Sequence, residues 1–334
     1  MENQAIIGID VSKNRLDVTV FTTASTDQRY YSFFKNDLKG FQSLLRWVKQ
    51  STKLPCDAFV VCMEHTGIYT LELCCFLEDK GIFKALENSL QIKRSLGIQR
   101  GKNDKIDSAR IADYAFRFKD KLQSFKVPSK VLLKLRAVFA QRDRLMKAKV
   151  SLELGSQSVD LYGPEVNKEV VKASKKITDS INREIENLDK LMLVTIESDP
   201  ELLQLFNKLN SVPCVGIQSI VYFLIVSNGG RSFDNPRNFA CYCGVAPFEY
   251  RSGTSIRGKT KISYLANRRM KELLHMASLN AVRFIPEIKD YYERKLNEGK
   301  NPMCVLNAVK FKIICRMFAV INREEPYQKD YLKK

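Results

Sequence analysis

Apolar positions in the first 90 residues follow two different periods, which predict strands and helices in alternation. Short apolar runs bounded by turn residues predict strands near Ala5 to Ile9, Leu16 to Phe21, Tyr30 to Phe34, Ala58 to Met63 and Phe83 to Leu86. Helical spacing covers Leu38 to Gln50 and Tyr69 to Lys80. A turn at Ser12–Arg15 joins the first two strands, so we expect an antiparallel meander that opens a mixed α/β sheet covered by helices.

Residues 128–200 show the pattern of a long amphipathic helix. Apolar side chains recur at spacings of 4, 4, 3 and 4 at Ile177, Ile181, Ile185, Leu188 and Met192. Such a stripe is typical of a coiled-coil arm that packs on a partner helix. A helical hairpin within one subunit, with a turn at Tyr162-Gly163-Pro164, is the alternative. Either way, we expect this segment to space two domains.

Residues 201–334 are predicted to form a mostly α C-terminal domain. Pro213-Cys214-Val215-Gly216 precedes the apolar run Ile217 to Val226 and has the shape of a helix-hairpin-helix turn. Backbone N–H groups at the start of the second helix can hold a phosphate there. The glycine usual at the second position of the turn is Cys214, so a plain helix–helix turn stays open. The predicted domains are therefore 1–127, 128–200 and 201–334.

The charge balance indicates a polyanionic partner. There are 55 Lys and Arg residues against 37 Asp and Glu, which gives a net charge of +18 and a pI near 9.4. No stretch has the roughly 18 uncharged apolar residues of a membrane span, and the first residues lack a signal-peptide pattern, so we expect a cytoplasmic, nucleoid-associated protein. The nine cysteines lack the paired spacing of a zinc site and are expected to be reduced core residues.

Two segments concentrate positive charge without any acid. The segment Tyr250 to Lys271 carries Arg251, Arg257, Lys259, Lys261, Arg268, Arg269 and Lys271, together with Gly253 and Gly258. The second set is Lys93, Arg94, Arg100 and Lys102. A solvated charge run is the ordinary use of such residues, but basic loops punctuated by glycine favour phosphate backbones. We therefore predict that both segments bind nucleic acid.

Four carboxylates are predicted to gather at one edge of the N-terminal sheet. Asp10 closes the first strand, in which Gly8 allows close backbone approach, and Glu64 ends the strand that begins near Ala58. Asp104 and Asp107 share a face at the start of a helix. The core side of that helix is predicted to be Ile106, Ala109, Ala112 and Phe116. Mg²⁺ prefers oxygen ligands, and paired divalent ions assist phosphodiester chemistry by neutralising the transition state.

Each acid also has an ordinary interpretation. Asp10 could be a turn residue, Glu64 a surface glutamate, and the aspartate pair an N-cap with a first-turn acid. The joint pattern on a cationic chain favours a metal site instead. Asp17 and Asp113 are interpreted as structural.

Three short motifs together resemble the DEDD transposases of the insertion sequence 110 family. They are Gly8-Ile9-Asp10-Val11-Ser12-Lys13, Met63-Glu64-His65-Thr66-Gly67-Ile68-Tyr69 and Asn103-Asp104-Lys105-Ile106-Asp107-Ser108-Ala109-Arg110. Gly244-Val245-Ala246-Pro247, followed by Arg251-Ser252-Gly253, resembles the C-terminal transposase domain of that family. The likeness spans nearly the whole chain, from Ile6 to about Val282.

The resemblance implies a fold, a chemistry and partners. Family members have a ribonuclease-H-like (Holliday-junction-resolvase-like) N-terminal domain with a DEDD metal site, a coiled-coil linker and a C-terminal domain with a nucleophilic serine. Asp10, Glu64, Asp104 and Asp107 match the four acids, which would hold Mg²⁺ or Mn²⁺, and Ser252 matches the serine. In the family this serine attacks a DNA phosphate to form a covalent intermediate, an element-encoded guide (bridge) RNA pairs with donor and target DNA, and dimers assemble into a tetramer.

Taken alone, the residues are consistent with this chemistry. A serine hydroxyl needs a base or a metal to attack at neutral pH, and no histidine lies near Ser252 in the sequence, so metal activation is the expected route. Arg251 and Arg257 would hold the phosphate, and Ser255 is the alternative nucleophile. A resolvase-like nuclease that uses water, a non-catalytic nucleic-acid binder and, as the weakest alternative, a sugar-kinase-like fold stay open.

Overall fold

The chain divides between Val127 and Pro128 into two units in the computed structural model. The structure describes residues 3–65, 67–97, 103–157, 164–252, 256–323 and 325–329. Of residues 156–157, 164–167, 249–252, 256–257 and 259–261 it describes the backbone only.

The first unit is built on a five-stranded mixed sheet. Its strands are β1 (Ala5–Val11), β2 (Arg15–Thr22), β3 (Ser25–Lys35), β4 (Phe59–Glu64) and β5 (Phe83–Glu87), in the spatial order β3-β2-β1-β4-β5. β1, β4 and β5 are parallel, and β2 is antiparallel to both of its neighbours. The predicted strands and the antiparallel meander are confirmed. β3 begins earlier than predicted because its first residues are a polar edge segment without an apolar run.

Helices cover both faces of this sheet. α1 (Leu38–Thr52) and α2 (Leu71–Asp79) bury their apolar sides against one face, and α3 (Ser89–Ser95) and α4 (Asp104–Arg117) cover the other. Short 3-10 turns lie at Cys56–Ala58, Gly67–Thr70 and Lys119–Lys121. Both helices predicted before residue 81 are confirmed, although the first residues of the second form a 3-10 turn.

Gly8 is the point where α4 meets β1 with no side chain between them. A Cβ on Gly8 would lie 2.3 Å from the backbone nitrogen of Ala112 and 2.4 Å from the carbonyl oxygen of Ser108. Beside this contact, the hydroxyls of Ser108 and Thr19 share a buried hydrogen bond of 2.8 Å. The close approach predicted from Gly8 is therefore present, and it holds the backbone of α4 directly against the strand that carries Asp10.

The predicted core side of α4 is wrong in part. The buried residues are Ser108, Ile111, Ala112, Tyr114 and Ala115. Phe116 is instead 39% exposed, and its ring meets the edge of Phe21 at a centroid distance of 5.7 Å. Ile106 and Ala109 are only half-buried. The residues of α4 nearest to Gly8 are Ser108 and Ala112, whose small side chains suit this close backbone approach.

The second unit is mostly helical. Its helices are α5 (Lys130–Gln157), α6 (Pro164–Glu197), α7 (Pro200–Asn210), α8 (Ile217–Val226), α9 (Pro236–Tyr242), α10 (Arg268–Phe284), α11 (Pro286–Asn297) and α12 (Pro302–Ile321). A hairpin of β6 (Phe248–Ser252) and β7 (Ile256–Lys261) comes between α9 and α10 in the chain. Among the described helices, none combines the length and apolar character needed to span a bilayer.

α5 and α6 pack along each other as an antiparallel pair. Arg142 on α5 forms a two-bond ion pair with Asp189 on α6, at 2.6 and 3.2 Å. The burial of the predicted apolar stripe changes along α6, since Met192 near its end is buried and Ile177 is 51% exposed. The buried ends of both helices belong to the hydrophobic core of the second unit.

The long amphipathic helix is therefore confirmed. The turn predicted at residues 162–164 lies largely outside the described residues. The coiled-coil interpretation and the division of this unit into residues 128–200 and 201–334 stay predictions.

The connection between α7 and α8 runs from Ser211 to Gly216. Cys214 has φ = +65°, a left-handed conformation that glycine adopts without steric cost and other residues rarely adopt. Gly216 is the N-cap of α8 and makes no side-chain cap. The helix–helix turn is thus present with a backbone shape suited to glycine. Its role as a phosphate-binding helix-hairpin-helix stays a prediction.

The basic segment 250–271 was predicted to be a loop, and this is wrong for most of its length. Arg251 pairs with Arg257 and Ser252 with Ile256 across β6 and β7. Arg268 opens α10, which the side chain of Asn267 caps. Pairing of the two strands satisfies the hydrogen-bonding groups of their backbones. The strands were not predicted because their many charged residues hide any alternation of apolar and polar positions.

We expect Gly8→Ala to destabilise the first unit by about 1–3 kcal/mol, because an added methyl group fits only if the backbone of α4 moves away. Chemical denaturation followed by circular dichroism measures this loss. Gly155→Ala is the matched control, since nothing lies within 4 Å of an added Cβ on that helical glycine. A Gly8→Ala variant as stable as its parent would contradict the direct contact.

Candidate active site

Two strands and one helix bring the four predicted acids to one edge of the sheet. Asp10 lies near the end of β1, and Glu64 ends β4. These strands are parallel and paired as far as Ile9 and Met63, so their ends meet. Asp104 and Asp107 occupy the first turn of α4.

The start of α4 is defined by an N-cap. The side-chain oxygen of Asn103 accepts a hydrogen bond of 2.7 Å from the backbone nitrogen of Ile106. Asp104 and Asp107 follow this cap, at the helix end where negative charge is favoured by the helix dipole. The N-cap role considered for this aspartate pair is therefore wrong, because Asn103 fills it, whereas the first-turn role holds for both aspartates and is compatible with a functional cluster.

The pKa of Asp10 reflects this convergence. Burial, and then the charges of Glu64, Asp107, Asp104 and Asp17, raise the pKa of Asp10 from 3.8 to about 6. The four other carboxylates therefore lie within electrostatic range of Asp10. A cation near Asp10 would relieve this repulsion.

Asp17 extends the acidic edge onto β2, where it pairs directly with Asp10. Its side chain is buried and accepts hydrogen bonds from the guanidinium of Arg15 at 2.6 Å and from the hydroxyl of Tyr31 at 2.5 Å. The predicted structural role of Asp17 is therefore incomplete, because the charge of Asp17 also raises the pKa of Asp10. The period of two along β2, together with the tight turn after β1, was the signal that could have placed it there.

Glu87 extends the edge on the other side, because it pairs with Glu64 across β4 and β5. Burial raises the pKa of Glu87, which accepts a hydrogen bond of 3.2 Å from the hydroxyl of Tyr114. Tyr114 in turn accepts one of 2.7 Å from the amide of Gln91. The parallel register of β4 and β5 was the available signal for Glu87. Acids thus lie on the four adjacent strands β2, β1, β4 and β5. The two outer acids, Asp17 and Glu87, accept hydrogen bonds from other side chains of the protein.

The acids fit a hard divalent cation by their chemistry. All four predicted ligands are carboxylates, and Mg²⁺ and Mn²⁺ prefer oxygen donors. Asp107 is paired with the guanidinium of Arg110 at 2.9 Å. In the part of the chain that the structure describes, no group of three or more His, Cys, Asp or Glu side chains is arranged to hold a metal ion as placed. A shared ion would therefore require rotation of these side chains, and it belongs to the proposal below.

The first predicted cationic set is described in part. Lys93 and Arg94 lie in the last turn of α3 and are exposed. The preceding residue, Ile92, is buried and belongs to the same hydrophobic cluster as the buried residues of α4. Arg100 and Lys102 lie outside the described residues. Contact of this set with nucleic acid stays a prediction.

The predicted serine lies at the end of the β6–β7 hairpin. Ser252 is the last residue of β6 and pairs with Ile256, while Ser255 lies outside the described residues. Arg251 and Arg257 occupy directly opposed positions next to it. Lys259 and Lys261 follow along β7.

The two arginines at the start of α10 differ in their surroundings. Arg269 forms an ion pair with Asp143 at 2.5 Å, which ties α10 to α5, and a second with Glu272 of its own helix at 3.2 Å. Arg268 is exposed. The two ion pairs of Arg269 favour a structural role for this residue. The exposure of Arg268 is compatible with the predicted contact with nucleic acid.

Two family models match the chain. One is described as "Transposase" and matches residues 7–157, and the other, "Transposase IS116/IS110/IS902 family", matches residues 207–293. The chain belongs to the IS110 transposase family. The first match contains all four acids, and the second contains Ser252 and the β6–β7 hairpin. Membership in the IS110 family makes this protein a DNA transposase or recombinase.

Two relatives match nearly the full length of the chain, and a third matches part of it. The chain is 26% identical over 332 residues to the "Pilin gene-inverting protein" of Moraxella lacunata and to that of Moraxella bovis, covering 98% of this chain and 98% of each relative. It is 29% identical over 113 residues to the "Insertion element IS110 uncharacterized 43.6 kDa protein" of Streptomyces coelicolor, covering 34% of this chain and 28% of that one.

Asp10→Asn should stabilise the fold above pH 6. The folded-state pKa of about 6 lies above the ordinary 3.8, so ionising Asp10 costs stability, and this cost develops as the pH rises through 4 to 6. We expect the variant to exceed the wild type by roughly 1–2 kcal/mol at pH 7.5 and to match it near pH 4. Urea denaturation at both pH values measures the difference.

Asp27→Asn, at an exposed position on β3, is the control and should change stability little at either pH. An Asp10→Asn variant less stable than the wild type at pH 7.5 would contradict the repulsion at this edge.

Proposed function

We propose that this IS110-family protein is the transposase of an insertion sequence and exchanges DNA strands by attack of Ser252 on a phosphodiester. Asp10, Glu64, Asp104 and Asp107 would hold Mg²⁺ or Mn²⁺, and an element-encoded guide RNA would select the DNA. The observation that carries the proposal is the position of Asp10, Glu64, Asp104 and Asp107 at one edge of the sheet, where the other three raise the pKa of Asp10. Their charges converge although they come from three separate segments of the chain.

The strand arrangement supports a ribonuclease-H-like identity for the first unit. The order β3-β2-β1-β4-β5, with only β2 antiparallel to its neighbours β1 and β3, leaves the carboxyl ends of β1 and β4 adjacent. Ligand sites of mixed α/β sheets form at such ends. We propose that this edge is the DEDD site of the family.

The proposed reaction conserves the number of phosphodiester bonds. The Ser252 oxygen loses its proton and bonds to phosphorus, while the bond from phosphorus to one deoxyribose oxygen breaks and that oxygen takes up a proton. Attack by a deoxyribose hydroxyl of another strand reverses these steps and releases the serine. Asp10, Glu64, Asp104 and Asp107 would hold a divalent ion, whose positive charge would make a hydroxyl nucleophile more acidic and would offset charge on a phosphate.

Residues of the chain supply the remaining functions. The opposed positions of Arg251 and Arg257 beside Ser252 support binding of the phosphate group. Exposed Lys93, Arg94 and Arg268 would contact donor DNA, target DNA or the guide RNA through their backbones. Because DNA is the substrate, we place the protein at the nucleoid in the cytoplasm.

Assembly into a tetramer from dimers is also part of the proposal. Leu154 on α5 is 60% exposed and Ile177 on α6 is 51% exposed. These apolar side chains at the outer part of the helix pair support a coiled-coil arm that is covered by a second subunit.

DNA inversion is a second candidate function. The two Moraxella relatives match this chain over 98% of its length and are named for inverting a pilin gene. Inversion and transposition would use the same strand chemistry and differ in the arrangement of the two DNA sites.

The covalent intermediate provides the direct test. Purified protein is incubated with supercoiled DNA, Mg²⁺ and the non-coding transcript that flanks its gene, and protein–DNA adducts are separated on a denaturing gel. We expect an adduct that is lost in Ser252→Ala and retained in Ser255→Ala. The opposite pattern would make Ser255 the nucleophile, and nicks without any adduct would support the nuclease that uses water.

Metal binding is testable without activity. We expect Mg²⁺ to raise the Tm of the wild type by roughly 3 °C, and to do so less in Glu64→Gln, because the acids repel one another without a cation. Ser252→Ala is the matched control and should keep the full shift. Equal shifts in all three proteins would place Mg²⁺ elsewhere.

A further inference from the structure

We propose that a strip of basic and aromatic residues beside the acids binds the DNA strand next to the reacting phosphate. The strip consists of Lys13, Arg15, Tyr31, Phe33, Lys35 and Lys105, from the turn after β1, from β2, from β3 and from α4. The proposal rests on the proposed function, because it takes the edge at Asp10 as the place of reaction.

The register of the sheet places the strip close to Asp10. Asp10 pairs with Asp17 on β2, and Asp17 pairs with Phe33 on β3. Paired residues of adjacent strands point to the same face, and strands are about 4.8 Å apart, so Phe33 lies about 10 Å from Asp10 across that face. A strand that crosses the edge at Asp10 would pass over β2 and β3 with its neighbouring nucleotides.

Most cations of the strip are not neutralised by an ion pair within the described residues. Asp17 neutralises Arg15, but Lys35 lies directly opposite Arg15 across β2 and β3. Such opposed like charges are destabilising unless an anion lies between them. Lys13, Lys35 and Lys105 are exposed, and none of the three has an ion pair within the described residues. A phosphate backbone supplies the missing negative charge.

The guanidinium of Arg15 is held in place before any ligand binds. It donates to Asp17 at 2.6 Å and to the hydroxyl of Tyr31 at 3.1 Å, and its central carbon lies 4.2 Å from the ring centroid of Phe33. Little conformational freedom remains to be lost on binding.

The aromatic rings add a surface that only some anionic partners can use. Phe33 is 60% exposed, and the ammonium of Lys105 lies 5.2 Å from the ring centroid of Tyr31. Aromatic rings among cations are typical of single-stranded nucleic-acid sites, where bases stack and phosphates pair. Cations on the edge strand β3 would also prevent pairing between sheets, but that function has no use for an exposed phenylalanine.

Fluorescence anisotropy of the full-length chain with a labelled single-stranded oligonucleotide tests the strip. All proteins carry Asp10→Asn and no divalent ion is added, so the DNA stays intact. We expect Lys13→Gln/Lys35→Gln to weaken binding at least fivefold and to reduce the salt slope by about 1.4, the value for two lost phosphate contacts. Phe33→Ala should weaken binding at least threefold with the slope unchanged.

The matched control removes the same charge from the other face of the sheet. Arg46→Gln/Lys49→Gln changes two exposed cations on α1, and we expect less than a twofold effect. Thermal unfolding establishes that each variant is folded. Equal losses in the two double variants would show a general effect of net charge, and unchanged binding in the strip variants would show no contact; either result overturns the proposal.

Failure of the proposed serine chemistry can be distinguished from failure of DNA binding by the strip. The anisotropy measurement needs neither Ser252 nor a metal, whereas the adduct requires both. A chain that binds DNA through the strip and forms no adduct would overturn the serine chemistry alone.

Discussion

The direct contact between the backbone of α4 and β1 at Gly8 is the constraint on which the acidic edge depends. No side chain separates the two elements, and the hydrogen bond between Ser108 and Thr19 of the adjacent strand β2 fixes the helix on the sheet. Asp107 directly precedes Ser108, and Asp104 lies nearly one turn earlier, so the contact brings both toward Asp10. A larger residue at position 8 would separate the helix from the strand and the acids from one another.

This arrangement concentrates negative charge on a chain with a net charge of +18. The protein compensates the outer acids, since Arg15 and Tyr31 donate to Asp17 and Tyr114 donates to Glu87. At the centre, burial and repulsion act together on Asp10. Natural proteins often keep such unfavourable charge where function requires it, at a cost in stability.

The sequence was sufficient for the elements and for the four acids of this edge, because apolar runs locate β1 and β4 and the cap at Asn103 locates the start of α4. It was insufficient wherever one residue's role depends on a partner far away in the chain. Asp17 and Glu87 join the edge only through strand register. Phe116 is exposed because the buried face of α4 runs through Ser108, Ile111, Ala112 and Ala115 instead. The β6–β7 hairpin was missed because its charge obscured its strands.

The pKa of Asp10 tests the central claim most directly, because it reports burial and the neighbouring charges in one number. Nuclear magnetic resonance of the chain with ¹³C-labelled aspartate carboxyls, assigned by comparison with Asp10→Asn, would follow its titration. The account predicts an apparent pKa near 6 that falls when Glu64→Gln removes the largest of the neighbouring charge effects. A carboxyl that titrates at its ordinary 3.8, with or without that substitution, would contradict the convergence of the acids.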